Sequence, residues 1–203
     1  MISGVQQVQL HVAIGNNVAE HLAAFEQEKA GMGDITLFNS IHKGQLPVAE
    51  VKLSNEQLIR VTGLPNRSSR TTLLSCVAAK EAWDDAGIGD MKQFRTGFIS
   101  ANSVGGMDKS EDFFIEFVAD SNKGKLRNVF DHECGSMTEI VADKLGIKDF
   151  ITTLSTACSS SANAIFYAAR LIRNGVIDVA IAGGAENIEI GRASCRERVL
   201  TDV

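Results

Sequence analysis

Of the four cysteines in this 203-residue sequence, Cys158 has neighbours suited to nucleophilic chemistry. It lies in Thr156-Ala157-Cys158-Ser159-Ser160-Ser161, after a short apolar run, Ile151 to Ser155, and before a helical pattern. That order predicts a strand-to-helix junction with the thiol at the helix start. There the helix dipole is positive and backbone N–H groups lack intrahelical partners. Such surroundings favour the thiolate, the nucleophilic form of cysteine, and small neighbours leave room for a carbonyl carbon to approach. The competing reading is a small, inert core cysteine. An elbow flanked by Ser and Ala favours the accessible nucleophile.

Other residues that could do chemistry are weaker candidates. Cys134 opens a predicted helix with His132 beside it, but residues two apart do not face one another on a helix. Cys134 is therefore a runner-up nucleophile, and His132 a structural or capping residue. Cys76 falls on an apolar helix face and reads as core. Gly105-Gly106 lacks both the P-loop and the GxGxxG spacing, so it reads as a tight loop after a strand. Glu186, just past an apolar run, reads as a structural carboxylate. Lys123-Gly124-Lys125-Leu126-Arg127 reads as a solvated loop or, more sharply, as a contact for an acidic partner. The cysteines form no CxxC pair and no metal-ligand spacing.

The elements that must position these residues follow from periodicity and stop signals. Ile2 to Val5 and Val8 to Ile14 read as short strands. Asn16 or Asn17 caps a helix bearing Val18, Leu22 and Phe25. Residues 34–70 hold both prolines and read as loops with short pieces, including Asn55 to Thr62. Thr71 to Ala86 is a helix stopped by Gly87, with Leu73, Cys76 and Val77 on one face and Trp83 further along it. Arg95 to Ala101 is a strand. Asp108 to Glu111 resembles a capping box opening a helix through Val118 that carries Phe113, Phe114 and Phe117. Glu133 to Leu145 is a helix with Met137, Ile140, Val141 and Leu145 on one face and Gly146 as its stop. After Cys158, the residues Ala162, Ile165, Phe166, Ala169 and Ile172 mark the expected buried helix face. Asn174-Gly175 ends that helix, and Val176 to Ala182 reads as a strand covered on both faces. Strand–helix alternation after residue 95 indicates an α/β fold.

Composition excludes several classes. With 44% hydrophobic and 22% charged residues the chain is globular rather than disordered. Its length suffices for one sizeable core. A net charge of −5 argues against a general nucleic-acid binder. No apolar run reaches the length of a membrane span, and the N-terminus lacks the pattern of a secretion signal. Scattered free thiols fit a cytoplasmic protein.

Thr156-Ala157-Cys158-Ser159-Ser160-Ser161, the Ala-rich helix after it and Asp178-Val179-Ala180-Ile181-Ala182-Gly183-Gly184-Ala185-Glu186 together resemble the active-site block of β-ketoacyl-acyl-carrier-protein synthases, in the fatty-acid and polyketide elongating branch. The likeness covers most of residues 1–186. It implies a thiolase-like layered α/β fold. It implies that Cys158 receives an acyl chain from an acyl-carrier protein, after which decarboxylation of malonyl-carrier protein yields a carbanion that attacks the thioester. Gly105-Gly106 would shape the pocket mouth, the Phe113–Phe117 region would line an acyl tunnel or a subunit contact, and the strand Phe150 to Ser155 would pair across a homodimer axis. No metal or nucleotide cofactor is implied, and the phosphopantetheine arm belongs to the carrier protein.

Such synthases are longer, with two similar α/β halves. Their second half supplies two histidines, a lysine and a Gly-rich loop that completes the oxyanion hole. Here His11, His21, His42 and His132 all precede Cys158. The expectation is therefore an N-terminal half, residues 1–187, unable to complete condensation by itself. Residues 188–203 form an atypical tail in which Arg192, Arg196 and Arg198 replace expected apolar residues and Cys195 has no role. A non-catalytic, chain-length-shaping partner subunit and a cysteine-dependent thioester hydrolase are the alternatives.

Overall fold

Thr96–Ala101 (β1) is buried along its whole length because helices cover both of its faces. In the computed structural model, which describes residues 11–38 and 40–187, it is the middle strand of a three-stranded parallel sheet among those residues. Phe150–Leu154 (β2) lies on one side and Val179–Gly184 (β3) on the other. The register sets Phe98 against Ile151 and Ile181, and Ile99 against Thr152 and Ala182.

Alternation along β1 then sorts the core into two layers. Phe98 points toward Arg70–Ala86 (α3) and Cys134–Leu145 (α5), packing with Leu73, Cys76, Met137 and Val141. Ile99 and Ala101 point the other way, toward Ala164, Ala168 and Leu171 of Ser160–Arg173 (α6). Burying each large side chain here contributes about 1.5–3 kcal/mol. The remaining helices are Val18–Glu26 (α1), Asn55–Thr62 (α2) and Met107–Ala119 (α4).

Local signals account for most boundaries. Asn17 caps α1 by accepting the Glu20 N–H at 2.9 Å. Ser54 and Gln57 form a reciprocal capping box on α2. Gly87 and Gly146 end α3 and α5 in the left-handed conformation that a Cβ would penalise.

Five expectations are corrected. Residues 11–14 form an isolated bridge, Val12 with Gly15, rather than a strand; Ile2 to Val5 lies outside the described residues. β3 starts at Val179 because the Val176 N–H still bonds Leu171 O at the helix exit. β3 is also half-buried rather than covered on both faces, since it lies at the sheet edge among the described residues. The buried face of α6 is Ser160, Ala164, Ala168 and Leu171, whereas Ala162, Ile165 and Phe166 are exposed. The helix is apolar on two faces, and the one with small side chains seats closely on β1. Finally, Asp108 does not cap its own helix: Gly106 precedes the first residue of α4, with no side-chain cap.

Among the described residues several helices carry exposed apolar side chains, Val18, Leu22 and Phe25 of α1 among them. Phe114, Ile115, Phe117 and Val118 project from α4, and Ile165 and Phe166 from α6. No helix among the described residues is long and apolar enough to cross a membrane.

Candidate active site

The three strands are parallel, so their carboxyl ends gather at one edge of the sheet, where open α/β folds place their ligand crevices. β2 delivers Ser155 and Thr156 to that edge. A single 3-10 turn, Ala157–Ser159, leads directly into α6 and carries Cys158. The strand-to-helix junction expected from sequence is therefore present. Cys158 is exposed, Cys134 intermediate and Cys76 buried. Burial pushes the Cys76 thiol above its ordinary range, with only partial relief from the charges of Lys144 and Lys80. Cys195 lies outside the described residues.

The turn is held from both ends. Ala157 adopts φ 53°, a left-handed conformation that an alanine rarely takes. The Thr156 N–H donates to Ser160 Oγ at 2.7 Å, and Ser160 Oγ donates to Ala157 O at 2.7 Å. Ser159 Oγ donates to Thr156 O at 2.8 Å. Asn163, one turn into α6, donates through Nδ2 to Thr156 Oγ1 at 2.8 Å and lies 3.3 Å from Ser159 Oγ. Every polar group of Thr156 is thus engaged by residues flanking Cys158. No side-chain cap occupies the start of α6.

The ends of β1 and β3 close around this turn. Gly184 has no room for a Cβ, which would overlap Ser161 Oγ and Ala101 O. Glu186 Oε2 accepts the Ser103 N–H at 2.8 Å, and Oε1 accepts the Val104 N–H at 3.0 Å. It works as a structural carboxylate, as its position after the apolar run suggested. Buried Asn102 accepts the Gly105 N–H through Oδ1 at 3.0 Å and donates through Nδ2 to Cys134 O at 3.0 Å. Gly105 and Gly106 then press so closely on Asp131 and His132 that a Cβ on either would strike backbone oxygen.

His132 is engaged elsewhere. Its Nδ1 pairs with Ser110 Oγ at 2.8 Å, and its carbonyl accepts the Gly106 N–H at 3.4 Å. Among the described residues no hydrogen bond joins the Cys158 thiol to a base. The run Lys123 to Arg127 is a largely exposed loop entering the 3-10 helix Leu126–Val129, and Lys123 pairs with Asp120 at 3.7 Å. Sequence reasoning missed Asn102 and Asn163. An Asn following a strand end is a turn signal that could have revealed Asn102; no local pattern reveals Asn163.

A separate cleft of about 490 Å³ is lined by Glu50, Arg70, Asp108 and Glu186 among others, and Cys158 is not part of its lining. Burial raises the Glu50 carboxyl, but hydrogen bonds from Thr36 and Leu37 outweigh that and leave it below its ordinary value. Among the described residues no group of three or more His, Cys, Asp and Glu is arranged to hold a metal ion.

Comparison with known proteins bears on the family and the fold. The family model described as "Beta-ketoacyl synthase, N-terminal domain" matches residues 58–197. The 3-oxoacyl-(acyl-carrier-protein) synthase 2 of Coxiella burnetii is 25% identical over 177 residues, covering 85% of this chain and 42% of that protein. A solved ishigamide ketosynthase/chain length factor structure superposes with a TM-score of 0.76 at 22% identity, covering 95% of this chain and 50% of that one. A ketosynthase solved with its chain length factor from Xenorhabdus doucetiae gives a TM-score of 0.63 at 23% identity, with 92% and 50% coverage. At these identities the two structures speak for the fold alone. The chain spans half or less of each of these relatives.

Proposed function

Because the chain belongs to the β-ketoacyl synthase N-terminal domain family and has the α/β fold of the N-terminal half of a thiolase-like ketosynthase, we propose that Cys158 is the nucleophile that takes up an acyl group. The observation that carries this reading is the exposed thiol of Cys158 at the junction of β2 and α6, beside the gathered strand ends. The Cys158 thiolate attacks the carbonyl carbon of an acyl-carrier-protein thioester. A new Sγ–C bond forms, the C–S bond to the phosphopantetheine arm breaks, and the released thiolate takes a proton from solvent. The N–H of Cys158 itself is one donor for the oxyanion of the tetrahedral intermediate.

Condensation belongs to the whole enzyme. There malonyl-carrier protein loses carbon dioxide, and its carbanion forms a C–C bond to the acyl carbon and expels the Cys158 thiolate. Residues 1–187 constitute the partial synthase domain in this reading. Residues 188–203 lie outside the described residues, and the family match runs on to residue 197, which counts against the whole of that tail being foreign to the family. Resequencing settles whether any of it is foreign: an uninterrupted parental reading frame through those codons would sink that idea. The exposed apolar faces of α4 and α6, and the unpaired outer side of β2 among the described residues, support a homodimer in the full-length enzyme.

Two relatives were solved with chain length factors, which supports keeping a non-catalytic partner subunit as the second reading. Mixing the protein with an acyl-carrier-protein thioester and mass-mapping its peptides separates the readings. A stable acyl mass on the Cys158 peptide is expected. Rapid release of free acid would make the protein a hydrolase, and absence of an adduct would favour the non-catalytic subunit.

A further inference from the structure

The bonds that Ser159 and Ser160 make to Thr156 and Ala157 span only three or four residues and belong to the turn itself. Asn163 differs. Its amide reaches back seven residues to Thr156 Oγ1 at 2.8 Å, so that the second turn of α6 is tied across Cys158 to the residue leaving β2. Between those anchors sits Ala157 at φ 53°, a backbone state that persists only where its surroundings over-determine it. Both Thr156 and Asn163 are exposed, so burial does not hold them in place. Hydrogen bonds do: besides the Asn163 amide, Ser159 Oγ donates to Thr156 Oγ1 at 3.1 Å, and Ser160 Oγ accepts the Thr156 N–H.

We propose that Asn163 is a positioning residue for Cys158: through Thr156 Oγ1 it locks the left-handed Ala157 turn that presents the thiol at the start of α6. This rests on reading Cys158 as the nucleophile. Without the clamp Ala157 relaxes toward the right-handed region, the turn unwinds from the helix start, and the thiol loses its fixed direction of approach. Asn163 acts through Thr156 Oγ1 and, at 3.3 Å, through Ser159 Oγ, rather than on the thiol itself.

The test uses the full chain and reads the pH–rate profile of Cys158 alkylation by iodoacetamide, followed on the Cys158 peptide. Asn163→Leu removes the donor and Thr156→Val removes the acceptor at nearly constant volume, while Thr156→Ser keeps the hydroxyl. Each disruptive variant is expected to slow alkylation at least about threefold and to change its pH–rate profile, and the double variant is expected to do no more than Thr156→Val alone. Thr156→Ser is expected to retain the wild-type profile. Unchanged profiles, faster alkylation or additive effects overturn the proposal. Circular dichroism on the same samples reports folding. If Asn163→Leu fails to fold, Asn163→Ala takes its place, because Thr156→Val also removes the acceptor of Ser159 Oγ and cannot decide alone. Alkylation needs no thioester, so the test still decides when carrier-protein acylation fails.

Discussion

The backbone N–H of Arg70, the first residue of α3, donates to the carboxylate of Asp108, in the first turn of α4, at 2.9 Å. A carboxylate at a helix start satisfies an orphan donor and meets the positive end of the dipole. One helix is thus capped by the side chain of another, 38 residues away. Nearby Asp131 is also buried, and a backbone hydrogen bond with Ser69 steadies it.

Desolvation raises the Asp108 carboxyl above its ordinary value, and the Arg70 N–H and the Lys109 charge only partly counter it. Desolvation likewise raises Asp131. In the window above 3.8 the folded protein holds protons that the unfolded chain has released, so stability falls as pH rises through it. Asp108→Asn keeps an acceptor without a buried charge and is expected to flatten that fall. Asp108→Ala loses the cap and is expected to cost about 1–2 kcal/mol. Urea midpoints between about pH 4 and about pH 8 check both.

Asp178 behaves in the opposite way. The Arg95 side-chain and backbone hydrogen bonds hold its carboxyl at about 2, below the ordinary 3.8. The pair joins the entry to β1 with the entry to β3, with Arg95 Nη2 2.6 Å from Asp178 Oδ1. Its contribution is present above 3.8 and lost as pH falls toward about 2. Asp178→Asn is expected to remove that acid-sensitive portion while leaving the rest of the profile in place. Thermal melts in a pH series check this, and an unchanged acid limb would contradict it.

Exposure sets the order of thiol modification. Cys158 is expected to be alkylated first and Cys134 more slowly, while Cys76, 2% exposed with its thiol pushed up by burial, stays protected until the chain unfolds. Peptide mass mapping over a time course reads the order. Early labelling of Cys76 would mean that the α3 core is looser than described.

Gly184→Ala puts a methyl group into the space of Ser161 Oγ and Ala101 O. Overpacking of this kind costs about 1–3 kcal/mol. Here it also pushes the end of β3 away from the Cys158 turn. The expected result is a lower melting temperature together with slower labelling of Cys158. A variant that melts earlier but labels at the wild-type rate would separate strand packing from the site.

What the sequence determined by itself was whatever neighbouring residues settle among themselves. The periods of α3 and α5, their glycine stops, the Asn17 cap and the arrival of Cys158 between strand and helix were all legible, because each depends on residues a turn or so apart. The α/β class followed from the order of those elements.

The tertiary structure alone decided which groups meet across the chain. α6 carries two apolar faces, and only the sheet determines that Ala164 and Ala168 go in while Ile165 and Phe166 stay out. Asp108 fits a capping box on its own helix, yet it caps α3, where the fold sets its carboxylate 2.9 Å from the Arg70 N–H. Glu186 and Asn163 hold the site through bonds to residues 103, 104 and 156. Such pairings arise from folding in three dimensions, where hydrophobic burial sets the layers and polar groups then bond whatever those layers bring within reach.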